Sequence, residues 1–244
     1  MAITAVLLDI DDTLVDTRGA FRHALAVVAE RHLPGPADAD ALVAVWRADA
    51  NGWYRAFTRG EVGYREQRMR RANELHALFG GPDMDDSAFD AWDEEFEAAF
   101  QSGWLAHADA VELLDAFDAA GIVYGAVSNA AVAYQTAKLA HAGLDRVPML
   151  VGTDTFGVGK PDPRVFLEGA RLLGAQPASA GYVGDELDID ARAAIAAGLG
   201  LGVWIDRPGS RRDGHPGGDD SAPLGERVVR VESLSGVIEA LGLG

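Results

Sequence analysis

The chain has 244 residues, enough for one large domain or two modest ones with a real apolar core. It contains no cysteine, which excludes a disulfide framework and any cysteine-ligated metal. Its formal charge of −17 argues against a nucleic-acid polymer or an anionic membrane as partner, whereas a small phosphorylated substrate needs only a local group of cations.

The first element is Val6-Leu7-Leu8-Asp9-Ile10-Asp11-Asp12-Thr13-Leu14. An apolar run too short for a helix reads as a buried strand, and this one stops in three carboxylates. It lacks a basic leader, so it reads as a strand rather than a signal peptide, and no later run approaches membrane-spanning length. A soluble, cytoplasmic protein is the expectation. In an open parallel sheet, ligands sit beyond the carboxyl ends of strands, which places Asp9 at the floor of a crevice. Asp9 and Asp11 are two apart, the spacing that puts side chains on one face of an extended chain. Two acids this close repel, which raises a pKa or requires a cation. Magnesium fits, because it prefers carboxylate, carbonyl and water oxygens. The plainer alternative is an acidic surface turn with Asp12 capping the next helix.

From Arg18 to about Gln101 the pattern is helical. Phe21, Leu25 and Val28 share one face, and Leu42, Val45 and Trp46 mark a second helix. A third runs from Glu61 to Phe79, and Phe89, Trp92, Phe96 and Phe100 form an apolar stripe on a fourth. Four helices inserted after the first strand imply a separate domain over 17–107, with 1–16 and 108–244 forming the remainder. Arginines crowd part of this insertion: Arg47, Arg55, Arg59, Arg65, Arg68, Arg70 and Arg71. They read as a solvated helix face balanced by acids, or as a set from which one or two reach a substrate. In the second reading Trp53, Tyr54, Arg55 and Arg59 are the candidates for substrate selection, an aromatic beside cations suiting a nucleotide base or another planar molecule.

Beyond Trp104 helices and strands alternate. Helices are expected at 110–120, 132–142, 163–173 and 189–197, and strands at 122–127, 149–151, 181–183, 201–205 and 228–231. Short apolar strands between amphipathic helices imply an α/β, doubly wound parallel sheet. The stretch 207–227, rich in Gly, Pro, Asp and Arg, reads as an exposed loop.

Polar residues fall at the strand ends. Ser128-Asn129 offers a hydroxyl and amides near a helix start, suited to an anion, although a Ser-Asn there is more often a helix cap. Gly157-Val158-Gly159-Lys160-Pro161-Asp162-Pro163 places a cation on a stiff turn, in a chain whose one other lysine is Lys138. Gly184-Asp185 repeats the opening logic, and Asp185 could complete an oxygen-ligand magnesium site with Asp9. Asp188 and Asp190 open the next helix, where acids are common without any metal.

The ordered set Asp-x-Asp-x-Thr, Ser-Asn, Gly-Lys-Pro-Asp-Pro and Gly-Asp-x-x-x-x-Asp resembles the haloacid dehalogenase-like hydrolase superfamily. The helical insertion matches the position of a C1-type cap, and the stretch Tyr54–Val62 leading to Arg68 resembles the nucleotidase-like members. The resemblance implies a Rossmann-like core and a phosphatase acting through an aspartyl phosphate. It implies Asp9 as nucleophile, Asp11 as acid and base, and Lys160 as the balancing cation. Magnesium would sit on Asp9, the Asp11 carbonyl and Asp185, with Asp190 behind them. Ser128, the Asn129 amide and Thr13 would serve the phosphoryl group and its loop. Asp12 stands where many members have glycine, Ala130 where glycine is frequent, and Glu186 and Ile189 where serine and asparagine are common.

Asp11 argues against dehalogenation, which needs no acid at that position, and a cap without lysine argues against a phosphonatase. A sugar-phosphate mutase and a catalytically silent regulatory protein on the same fold are the remaining alternatives. Nothing in the sequence specifies an oligomeric state.

Overall fold

Among the described residues, six short parallel strands carry the apolar runs: β1 (Ala5–Leu8), β2 (Val123–Val127), β3 (Met149–Val151), β4 (Ala180–Gly184), β5 (Leu201–Ile205) and β6 (Val228–Val231). They lie in the order β3-β2-β1-β4-β5-β6 in the computed structural model, which describes residues 2–208 and 223–243. A parallel sheet covered on both faces needs unbroken apolar strands, and β1 is buried at all four positions. Leu8 pairs with Ala126 of β2 and with Val183 of β4, so the carboxyl ends of three strands lie side by side. The strand order reverses between β1 and β4, the position at which an open sheet of this kind forms its crevice. Asp9 and Asp185 follow those two strands.

The chain forms two compact units. Among the described residues, the first comprises those up to Asp16 and those from Leu105 onward, and contains the sheet. Its helices are α6 (Ala110–Ala120), α7 (Val132–His141), α8 (Thr153–Phe156), α9 (Pro163–Leu172), α10 (Ala193–Ala196) and α11 (Leu234–Ala240), with a π-helical turn over Leu187–Arg192. The segments where the chain leaves and re-enters this unit pair with each other: Asp16 N–H donates to Leu105 O and His107 N–H to Leu14 O, both at 2.9 Å.

The second unit, Thr17–Trp104, contains α1 (Thr17–His32), α2 (Ala39–Ala48), α3 (Trp53–Thr58), α4 (Tyr64–Leu78) and α5 (Asp86–Ser102). Its interior is aromatic. Phe21 stacks on Phe100 with centroids 4.5 Å apart, and Trp92 stacks on Phe96 at 5.0 Å. Asp38 and Asp85 cap α2 and α5 through Ala41 N and Ala88 N, as acids at helix starts should. Five helices stand where the sequence pattern indicates four. The additional one is α3, organised by Asp49, whose carboxylate accepts from the amides of Tyr54 and Arg55.

Most of the expected loop 207–227 lies outside the described residues. Among the described residues no helix is long and apolar enough to cross a membrane.

Candidate active site

Asp9 leaves β1 still tied to the sheet, its amide donating to Val183 O at 2.9 Å. Beyond it the chain turns tightly on Ile10, whose carbonyl accepts from Thr13, Leu14 and Val15. Asp12 stands at φ 59° in this turn, the left-handed region that favours glycine and that Asp tolerates better than most residues. Its amide donates to Val15 O, and the next helix begins only at Thr17. The turn folds the Thr13 hydroxyl back onto Asp9 Oδ2 at 3.4 Å, so Thr13 is placed on the Asp9 carboxylate.

Lys160 comes from the turn before α9 and is buried. Its ammonium has three hydrogens and three acceptors: Asp9 Oδ1 at 2.6 Å, Asp190 Oδ1 at 2.7 Å and the Tyr182 hydroxyl at 2.8 Å. Tyr182 passes its own hydrogen to Val127 O. The main chain at Lys160 is held by Asn129, whose Oδ1 accepts from Lys160 N–H at 2.5 Å and whose Nδ2 donates to Lys160 O at 2.9 Å. This bracket explains Gly159: a Cβ there would collide with the Asn129 carboxamide. Gly159 serves close approach.

The helix-cap reading of Ser128-Asn129 is therefore corrected. Helix α7 starts later, after Ala131, and the amide of Val132 is capped from Asp154 Oδ1 at 3.0 Å. Ser128 is buried and its Oγ accepts from Gln135 Nε2 at 2.8 Å. Asp190 stands in the first turn of the next helical segment, as the sequence indicates. It lies within the π-helical turn, is 1% exposed, and bonds Lys160 and the amide of Glu186. Gly184 has no side chain because Asp190 fills the space a Cβ would take.

Asp9, Asp185 and Asp190 each bring one oxygen within 4.8 Å of the others. Burial, opposed by Lys160, raises the Asp9 pKa to about 7. Burial and the neighbouring charges of Glu186, Asp12 and Asp9 push Asp185 well above the usual carboxylate range. Burial alone would depress Lys160, but Asp190 and Asp9 outweigh it and hold the amine charged. Three clustered carboxylates facing one ammonium leave negative charge uncompensated, and the donors are all hard oxygens. That set fits a divalent cation of the magnesium type.

Two further residues face Asp11: Lys138 Nζ lies 2.5 Å from Oδ1 and Gln135 Nε2 lies 2.6 Å from Oδ2. In the sequence Lys138 stands out only as the chain's other lysine, and Gln135 and Tyr182 do not stand out at all. The available signal was a polar pair at i, i+3 beside apolar Leu139 on one helix.

Asp9, Asp11, Thr13, Ser128, Asn129, Lys160, Asp185 and Asp190 thus belong to one unit. Trp53, Tyr54, Arg55 and Arg59 belong to the helical one, and each is engaged there. Trp53 donates to Glu74 at 2.6 Å and lies under Arg70, 4.0 Å from the ring centroid. Tyr54 lies under Arg71, Arg55 bonds the Asp49 carbonyl, and Arg59 grips Glu61 with two hydrogen bonds. Arg65 and Arg68 likewise pair with acids of α5.

Residues 3–198 match the haloacid dehalogenase-like hydrolase family. The chain is 38% identical to glyceraldehyde 3-phosphate phosphatase of Methanopyrus kandleri over 122 residues, a match spanning about half of either chain (50% and 51%). It is 29% identical to hexitol phosphatase A of Escherichia coli, over 84% of this chain and 82% of that one. Among solved structures, a defluorinating L-2-haloacid dehalogenase superposes with a TM-score of 0.73 and 26% identity, covering 98% of this chain and 95% of the other. The matched span includes every motif that shapes the site just described, and the chain belongs to the haloacid dehalogenase-like hydrolase family.

Proposed function

We propose that this hydrolase is a magnesium-dependent phosphatase that acts on a small phosphorylated metabolite through an aspartyl phosphate on Asp9. Its class is phosphoric monoester hydrolase. The observation that carries the reading is the setting of Asp9: one oxygen on Lys160, the other beside Thr13, with Asp185 and Asp190 clustered around it. Phosphoryl transfer needs placement and charge neutralisation more than elaborate covalent machinery, and this site supplies both.

Asp9 forms a bond to phosphorus as the ester P–O bond breaks toward the leaving oxygen. Asp11 gives that oxygen a proton. It then takes one from the water that opens the aspartyl phosphate, returning Asp9 as a carboxylate and releasing inorganic phosphate. Lys160 offsets the charge of Asp9 throughout, and the Ser128 hydroxyl and Asn129 amide hold phosphoryl oxygens. Magnesium on Asp9, Asp185 and the Asp11 carbonyl would supply the remaining positive charge against the phosphoryl oxygens.

The relatives named as phosphatases act on triose, hexitol, amino-sugar and glycolate phosphates, so a phosphorylated sugar, polyol or short acid is the proposed substrate class. A nucleoside monophosphate has less support, because Trp53, the candidate for stacking on a base, already lies under Arg70. Dehalogenation has no use for an acid at Asp11. A cytoplasmic setting agrees with such a substrate.

Phosphate release measured with magnesium across sugar, polyol, short-acid and nucleoside phosphates tests the reading. A sugar, polyol or acid phosphate should be turned over fastest, with Asp9→Asn at background. Release no faster than Asp9→Asn from every class, or halide release from a 2-haloacid, would contradict it.

A further inference from the structure

Asp11 is held from behind by a helix that the proposed chemistry has not yet used. Its side chain is 35% exposed, whereas that of Lys138 is 3% exposed and Gln135 is fully buried. Each Asp11 oxygen has its own donor, Lys138 Nζ at 2.5 Å and Gln135 Nε2 at 2.6 Å. A carboxylate only accepts hydrogen bonds, so the group Gln135 turns toward it is the NH2. The second hydrogen of that nitrogen goes to Ser128 Oγ at 2.8 Å. The Ser128 hydroxyl therefore accepts on its α7 side, and its own hydrogen is directed elsewhere. One amide nitrogen thus links the carboxylate that handles the leaving group with the hydroxyl that faces the phosphoryl group.

An aspartate on a tight turn turns about two side-chain bonds. Fixing both oxygens removes that freedom, and a proton donor held in register with the leaving oxygen gains from orientation. Helical spacing places Gln135 and Lys138 on one face of α7, and the Lys138 ammonium lies 5.6 Å from the Tyr134 ring centroid. A lysine buried in this way is costly unless it is paired. Here its partner is a reacting group.

We propose that Gln135 and Lys138 are positioning residues for the phosphatase reaction: together they fix the Asp11 carboxylate against the leaving group, and Gln135 also orients Ser128 toward the phosphoryl oxygens. The proposal rests on the phosphatase reading above.

The test compares an alkyl phosphate, glycerol phosphate, with p-nitrophenyl phosphate, whose leaving group hardly needs a proton. Lys138→Met should lower the ratio of alkyl to p-nitrophenyl kcat by about tenfold or more, and Lys138→Arg should restore most of it. Gln135→Met should lower the same ratio and also raise KM for both substrates, because Ser128 loses its set orientation. Should Lys138→Met not fold, Lys138→Gln removes the charge and shortens the reach, and the same ratio is read. Asp9→Asn and Asp11→Asn are run alongside. If Asp9→Asn turns over like the wild type, the phosphatase reading fails and the clamp with it. If Asp9→Asn is inactive and Asp11→Asn shows the selective loss, an unchanged ratio in the folded Lys138 variant overturns the clamp alone.

Discussion

Lys160 Nζ lies 2.6 Å from Asp9 Oδ1 although 151 positions separate them in the chain. The contact joins the end of the central strand to the turn before α9, and it spends a buried cation on the proposed nucleophile. A group so placed ties distant parts of the fold together and, in the proposed mechanism, offsets the charge of the nucleophile.

Lys160→Met removes the donor shared by Asp9, Asp190 and Tyr182 and leaves buried carboxylates facing each other. Breaking a buried pair from one side costs about 3–5 kcal/mol, and that loss of stability is expected in urea unfolding. It should be smaller at pH 5 than at pH 8, because protonation then relieves the repulsion. Turnover should fall by about 10²-fold or more. A variant as stable and active as the wild type would remove Lys160 from the account.

The acidic cluster predicts how stability responds to metal and pH. Metal-free, Asp9 has its pKa raised from the ordinary 3.8 to about 7, so the folded state holds a proton that the unfolded state has lost. Its contribution to stability is therefore full below about pH 4 and declines as pH rises through about 7. A bound cation replaces that proton. The rise in Tm on adding magnesium after chelation should grow between pH 5 and pH 8. At about 100 times Kd it corresponds to roughly 2.7 kcal/mol. Asp185→Asn should abolish most of the rise, and a rise unaffected by that change would place the metal elsewhere.

For the helical unit, the proposal is that the segment around Trp53 and Arg55 selects substrate and takes no part in phosphoryl transfer. Its arginines are largely engaged with acids and rings of their own unit, so selection would depend on a scaffold held by Asp49 and Glu74. Alanine at Trp53 and Arg55 should lower kcat/KM for the best natural substrate about tenfold while changing p-nitrophenyl phosphate far less. Equal losses on both, or none, would make the segment purely structural.

Much of this was legible in the sequence. Short apolar runs located the six strands among the described residues: β1 and β4 are buried throughout and read as unbroken apolar runs, whereas β6, at the sheet edge, carries Arg230. The motifs at the strand ends located Asp9, Asp185 and Lys160. Helix α3 was not legible: six residues are too few for a helical period, and its start depends on Asp49 several residues upstream. Tyr182 reads as core in an apolar strand, and both partners of its hydroxyl, Lys160 and the Val127 carbonyl, come from distant parts of the chain. Gln135 and Lys138 depend on how α7 is rotated against the sheet, which tertiary packing decides. Asp12 is the reverse case. The glycine that the resemblance leads one to expect there has a physical reason in the positive φ.

The central claim is that Asp9 becomes phosphorylated, and the most direct measurement is to trap that phosphoenzyme. Enzyme mixed with its best substrate and magnesium is quenched in acid after milliseconds, digested, and examined by mass spectrometry. An acyl phosphate is stable to acid and labile to base, so the peptide containing residues 5–15 should gain a phosphate that mild alkali or hydroxylamine removes. Asp9→Asn should fold, bind magnesium weakly and show no such peptide. Rapid turnover with no phosphopeptide, or a phosphate found on any residue other than Asp9, would contradict the mechanism.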